Sequence, residues 1–175
     1  VGRRPPSQMQ NANAANHECG CLPVTSAVHQ LSRDDLITIL TEPRNALSAD
    51  ERAFFAEADP AGYILFRRNC ESREQLRALT DSLRVIHGRP ELPILIDQEG
   101  GRVARMRPPE WPAFPTGEAF DKLYQAAPSS AIEAARMNAR AIALVLAECG
   151  VNVNCLPMLD VRQPGATDIV GDRAY

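Results

Sequence analysis

The sequence predicts an α/β fold, a TIM-type (β/α)8 barrel that is incomplete in this chain, and three observations carry that reading. Short apolar runs alternate with helical stretches: "GYILF" (62–66), "SREQLRALTDSLRVIHG" (72–88), "LPILID" (92–97), Ser130–Cys149 and "VNVNCLPMLD" (151–160). Strand, helix, strand, helix, strand makes parallel β/α units with right-handed crossovers. Two of these strands end on a carboxylate, Asp97 and Asp160, and the first ends near Arg68. Polar residues at the C-terminal ends of parallel strands are where a barrel or a doubly wound sheet places its site. No G-x-G-x-x-G or P-loop follows any strand, which counts against a nucleotide-binding sheet and favours the barrel. A complete barrel takes roughly 250 residues, and only three clear β/α units are legible here.

Taken in order, residues 1–30 read as a disordered tail, polar and Pro/Asn/Ala-rich, with no period that could bury a face. His17, Cys19 and Cys21 lie within it, but no second Cys/His pair follows at finger-like spacing, so no metal site is expected. Residues 31–57 read as a short helical lead-in of two helices, "SRDDLITILT" and "SADERAFFAEA", each opening with Ser followed three residues later by an acid. Residues 58–175 hold the barrel part. In the 72–88 helix, Ser72 and Gln75 form a capping box, Leu76, Leu79, Leu83 and Ile86 share a face, and Gly88 with Pro90 stops it. "LPILID" is apolar on both faces, as a buried parallel strand should be. In the next helix Ile132, Ala135, Ala139, Ile142, Leu146 and Cys149 fall on one face, and Gly150 ends it.

Composition limits the function classes. The chain has 175 residues, 45% hydrophobic, enough for a core in one ordinary domain or a large piece of a bigger one. Fourteen prolines against five phenylalanines and one tryptophan imply a loop-rich fold with few aromatics. A net charge of −3 offers no basic field for nucleic acid or anionic lipid. No segment has the length of a membrane span. Five cysteines, irregularly spaced, fit reduced thiols and a cytoplasmic setting better than a disulfide framework.

The densest chemistry lies in "LPILIDQEGGRVARM" (92–106). Period two puts Asp97 and Glu99 on the same side if the strand continues that far. Gly100 and Gly101 allow a sharp turn and a close backbone approach to a ligand. Arg102 and Arg105, three apart, would share a face in a helical turn aimed back at the acids. Carboxylates with guanidinium forks suit a polyhydroxylated ligand, because sugar hydroxyls both donate and accept. The alternative, which the spacing favours less, is an ion-pair cluster closing the barrel top. Asp160 is open between a site acid and an exposed loop acid. Arg173 and Asp172, in "GDRAY", are open between site residues and a surface turn. His29 and His87 read as ordinary, the latter a last-turn helix residue favoured by the dipole.

The blocks "GYILFRRN", "LPILIDQEGGRVARM", "GVNVNCLPMLDV" and "DIVGDRAY" resemble, in order and spacing, the N-terminal half of bacterial β-N-acetylhexosaminidases of glycoside hydrolase family 3. These are cytoplasmic enzymes that remove N-acetylglucosamine from recycled cell-wall fragments. The resemblance runs from about Leu47 to Tyr175 and implies a TIM-type barrel, no cofactor, and hydrolysis with retention through an Asp nucleophile and a proton donor. It implies that Asp97 binds sugar hydroxyls, that Arg105 and Arg173 help hold the substrate, and that Asp160 shapes the pocket floor, with Glu99 more structural than catalytic. The family's Lys-His substrate pair, His-Asp acid/base loop and nucleophile lie beyond the GDRAY block, so no catalytic residue is expected in this chain. The family's first barrel strand is expected to be missing or replaced. Separately, "DDLITILTEPRNAL" (34–47) resembles a segment of Clp-type AAA+ unfoldases. The expected partner is a small carbohydrate such as an N-acetylglucosaminyl muropeptide, together with a missing barrel half if the chain is a fragment; neither nucleic acid nor membrane is expected. The alternatives are a family 3 β-glucosidase, an inactive fragment or interaction module of that fold, and a fragment linked to AAA+ unfoldases.

Overall fold

The computed structural model describes residues 38–39, 46–161, 165 and 168–174. Contacts divide the chain into units 1–31 and 32–175, and all the described residues belong to the second. The candidate metal residues His17, Cys19 and Cys21, and His29, lie outside the described residues.

Four parallel strands form one sheet in the order β1-β2-β3-β6: β1 Thr38–Ile39, β2 Tyr63–Leu65, β3 Ile94–Ile96 and β6 Val153–Asn154. The register runs Thr38↔Tyr63↔Ile94 and Ile39↔Ile64↔Leu95↔Val153. β1 corrects two expectations. Thr38 and Ile39, assigned to a helix because of Ser32 and its downstream acid, pair as a strand, since two β-branched residues satisfy β2's free edge as well as they fill a helix turn. The stretch expected to replace the first strand therefore supplies one.

The helices form for legible reasons. α1 (Ala49–Ala58) opens with a complete capping box: Ser48 Oγ accepts from Glu51 N at 3.2 Å, and Glu51 accepts from Ser48 N at 2.7 Å. α2 (Arg73–His87) is capped by Ser72, whose hydroxyl accepts from Gln75 N at 3.1 Å. Its box is not reciprocal as expected, because the Gln75 amide oxygen takes the N–H of Glu71, one residue earlier, at 3.0 Å. Gly88, left-handed at φ 59, ends α2 one residue after His87. α3 (Gly117–Ala126) leads into α4 (Pro128–Glu148), with proline in the first turn where its missing N–H costs nothing. Two hydrogen bonds tie the end of α4 to α2: Thr80 Oγ1 donates to Cys149 O at 2.9 Å, and Arg84 to Gly150 O at 2.6 Å. No helix among the described residues is long and apolar enough to cross a membrane.

The core lies between the sheet and the helices. Tyr63, Leu65, Ile94 and Ile96 are fully buried against Leu76, Leu79 and Leu83 of α2, Phe55 of α1, and Ile142 and Leu146 of α4. Ile64 and Leu95, on the other face, are only half-buried, and Val153 is 36% exposed. β3 is thus fully buried on one face instead of both: helices pack on one side, and the other is only partly covered. The α4 face needs a similar correction. Ile142, Leu146 and Cys149 are buried as expected, but Ile132 is 47% exposed and Ala139 is exposed, while Ala131 is buried. The early turns pack on α3 instead of the sheet, which rotates the buried stripe. His87, read as ordinary, is held between two partners, Tyr63 Oη at 2.7 Å and Asp59 Oδ1 at 3.0 Å.

Candidate functional site

The charged residues of the 92–106 stretch sit where β3 leaves the sheet. Asn154 of β6 grips the exit: its side chain accepts from Gln98 N at 3.0 Å and donates to Gln98 O at 2.9 Å. The chain then folds into a small antiparallel hairpin, β4 (Gln98–Gly100) against β5 (Val103–Ala104). Gln98 is 1% exposed, whereas Asp97 and Glu99 on either side of it are half-buried. The period of two therefore holds through the bend, with the amide turned inward and the two acids toward the opening.

Gly100 and Gly101 have φ of 106° and 53°. A Cβ on Gly100 would run into the Pro115 carbonyl, and one on Gly101 into Thr116. Gly101 N also donates to Phe114 O at 2.9 Å. The glycine pair was expected to let the backbone approach a ligand. Instead it admits the chain's own 114–116 segment.

Each acid of this mouth meets an arginine. Arg105 donates to Asp97 Oδ2 at 2.6 Å, with both side chains about a quarter exposed at 24% and 25%. Arg173 forms a two-pronged pair with Glu99, Nε to Oε2 at 2.9 Å and an Nη to Oε1 at 2.7 Å. The Glu99 carboxylate, with Asp160 and Asp97 adding more weakly, holds the Arg173 guanidinium more firmly charged than usual. Asp160 itself is exposed. Arg102 does not join Arg105. The two flank the short strand β5 instead of sharing a helical turn, and Arg102, in the hairpin turn, bonds outward to Asp172 Oδ1 at 2.8 Å and to Val170 O at 2.5 Å. Asp172 and Arg173 lie in a 3-10 turn, Gly171–Arg173, and hold the hairpin from two sides.

The β2 end closes the remaining side. Phe66 carries two guanidiniums over its ring, Arg68 at 4.8 Å and Arg105 at 5.5 Å from the centroid. Cys155, after β6, has its thiol pushed up by desolvation and then by the Asp97 carboxylate beside it. The arrangement offers carboxylate acceptors and guanidinium donors on one wall, which suits hydroxyl-rich ligands. Among the described residues no group of three His, Cys, Asp or Glu side chains could hold a metal. Asp97, Glu99, Arg105 and Arg173 are thus brought together, with Asp160 near Arg173. Gln98 and Asn154 were missed, although their signal was present: the period that turns Asp97 and Glu99 outward turns Gln98 inward.

A parallel β/α sheet with its charged wall at the C-terminal strand ends defines a barrel-type α/β protein of the kind that places binding sites there. The profile described as "Glycosyl hydrolase family 3 N terminal domain" matches residues 28–175, and the chain belongs to that family. A β-hexosaminidase of Alkalilimnicola ehrlichii is 38% identical over 129 residues, 74% of this chain and 36% of that protein. One from Bordetella avium is 37% identical over 114 residues, 65% of this chain and 32% of that protein. The structure of NagZ from Neisseria gonorrhoeae in complex with N-trifluoroacetyl-D-glucosamine superposes with a TM-score of 0.71 at 30% identity, covering 79% of this chain and 40% of that one. A family 3 β-N-acetylglucosaminidase from Paenibacillus gives 0.62 at 28% identity, covering 75% of this chain and 25% of that one. The chain spans about a third of the length of the curated relatives it matches. The family match takes in residues 34–47, so the unfoldase resemblance of that stretch is not supported.

Proposed function

We propose that this chain supplies the substrate-holding wall of a retaining glycosidase that releases terminal β-linked N-acetylglucosamine from peptidoglycan-recycling fragments in the cytoplasm. The observation that carries the reading is the paired wall at the strand ends, Asp97 with Arg105 and Glu99 with Arg173. The β-hexosaminidase relatives support the sugar class. Asp97 takes sugar hydroxyls, Arg105 and Arg173 hold and orient the sugar, Glu99 keeps Arg173 in place, and Asp160 borders the pocket floor. A retaining mechanism further needs a carboxylate nucleophile and a proton donor. In this reading those groups come from other strand-end loops of the family barrel, and this chain contributes binding.

The test compares binding and turnover of a chromogenic β-N-acetylglucosaminide and the matching β-glucoside. Preferential binding of the N-acetylglucosaminide, lost in Asp97→Ala, is the expected result. Preference for the glucoside would move the chain to the β-glucosidase branch, and turnover by this chain alone would overturn the division of roles.

A second reading has its own observation. Ile64 and Leu95, half-buried, and Val153, exposed, form an apolar row on a sheet face that is only partly covered, which favours a module that docks on another polypeptide. A monodisperse monomer in light scattering that binds no hydrophobic dye would exclude it.

A further inference from the structure

We infer that Gln98, the uncharged residue at the centre of the acidic and basic cluster, is a positioning residue that holds Arg105 onto Asp97, and so deepens the sugar-binding reading on which it rests. The need for it is visible in the backbone. β5 ends at Ala104, so Arg105 and Met106 have left the ladder and their N–H groups have no strand to pair with. The Gln98 amide stands in for that strand. Its Oε1 accepts from Arg105 N at 2.9 Å and from Met106 N at 3.0 Å, and its Nε2 donates to Met106 O at 2.9 Å. A primary amide is the side chain that can do this, offering two acceptor lone pairs and two donors in one plane.

Gln98 is itself fixed from the other side by Asn154, which bonds both its N–H and its carbonyl. A continuous line of hydrogen bonds therefore runs from β6 through Asn154 and Gln98 to the backbone of Arg105, whose guanidinium then reaches back to Asp97 at 2.6 Å. The grip of Arg105 on Asp97 is a single contact, and its Nε is buried without a hydrogen-bond partner. A one-pronged pair has little orientational restraint of its own, so its geometry is set by the backbone that Gln98 pins, with the Phe66 ring 5.5 Å away bounding one side of the guanidinium. The Glu99–Arg173 pair is two-pronged and does not depend on that pin.

The experiment is a double-mutant cycle on the full chain, Gln98→Met with Arg105→Ala, reading affinity for methyl β-N-acetylglucosaminide alongside folding by circular dichroism. Gln98→Met keeps the length of the side chain and removes its polar atoms. We expect it to weaken binding on the order of tenfold and to add nothing further once Arg105 is alanine, because it acts through Arg105. Gln98→Glu supplies the rescue. Its protonated carboxyl can still accept and donate, whereas its ionised form cannot donate to Met106 O, so binding should recover as pH is lowered for this variant and not for Gln98→Met. Additive losses, or wild-type affinity in a folded Gln98→Met, would overturn the assignment. The Arg105 side-chain Nε–H resonance provides a readout free of sugar. A shift in Gln98→Met supports the positioning role even if no N-acetylglucosaminide binds the wild type, an outcome that would sink the glycoside reading alone. An unmoved resonance ends the positioning role.

Discussion

Tyr63 shows how a single residue here sets a measurable property. Its ring is buried edge-on against Phe55, with centroids 5.2 Å apart, and its hydroxyl meets His87, which in turn meets Asp59. Burial pushes the phenol well above its ordinary range; Arg89 opposes that push and Asp59 adds to it. The folded state therefore holds this proton more tightly than the unfolded chain does. The sign follows: the contribution is complete below the ordinary phenol value of about 10 and drains as pH rises beyond it, by at most about 1.4 kcal/mol per pH unit. Alkaline denaturation followed by circular dichroism should show the wild type losing stability above that point. Tyr63→Phe should flatten the loss while costing about 1 kcal/mol at neutral pH for the missing hydrogen bond. A wild-type curve no steeper than that of Tyr63→Phe would contradict this account. Gly100 makes the second case at this scale. Its φ of 106° and the Pro115 carbonyl beside it leave no room for a side chain, so Gly100→Ala should displace the 114–116 segment and cost more than the ~1 kcal/mol of an ordinary glycine change. Gly88→Ala, where nothing lies within 4 Å, should cost only the left-handed backbone penalty of about 1 kcal/mol. Urea unfolding midpoints of the two variants check the order.

Among the elements, α1 and α2 rest on different supports. α1 buries only Phe55 and depends on its cap, because the reciprocal Ser48–Glu51 pair satisfies N–H groups that would otherwise face water. Ser48→Ala should therefore cost about 1 kcal/mol and speed amide exchange in the first turn of α1 before any other helix responds. α2 buries Leu76, Leu79 and Leu83 in the core and Thr80 against the end of α4, and would survive loss of its own cap. Leu83→Ala, at a fully buried position, should cost about 2–5 kcal/mol by transfer and cavity terms together. Thermal melts would show whether the core substitution exceeds the cap substitution as this ordering requires.

Across the whole molecule, the sheet is asymmetric. One face is sealed by α1, α2 and α4, and the other presents Ile64, Leu95 and Val153 in register with only partial cover. Uncovered apolar rows of this kind drive association. Leu95→Thr keeps strand propensity while removing apolar surface. It should lower the weight-average mass seen by sedimentation at high concentration with little change in stability, and an unchanged mass would mean that the face is not the sticky one. What was legible in the residues was whatever depends on near neighbours: the alternation of strand and helix, the serine caps, the stop at Gly88, and the blocks that mark the family. Parallel order and the strand-end location of Asp97 and Glu99 followed from those, because crossovers of one hand leave few topologies; Asp160, expected to end its strand, instead lies exposed beyond β6, which stops at Asn154. The tertiary structure alone decided the rest. Thr38–Ile39 became a strand because β2 offered an edge. Arg102 and Arg105 parted because they flank strand β5, one in the hairpin turn before it and one just after it, where a single helical turn was expected. The glycine pair admits the 114–116 segment, and Gln98 became the hub because only the folded hairpin leaves the N–H groups of Arg105 and Met106 without a ladder. Local pattern determines which elements can form, and long-range hydrogen-bond satisfaction determines which side chain faces which partner.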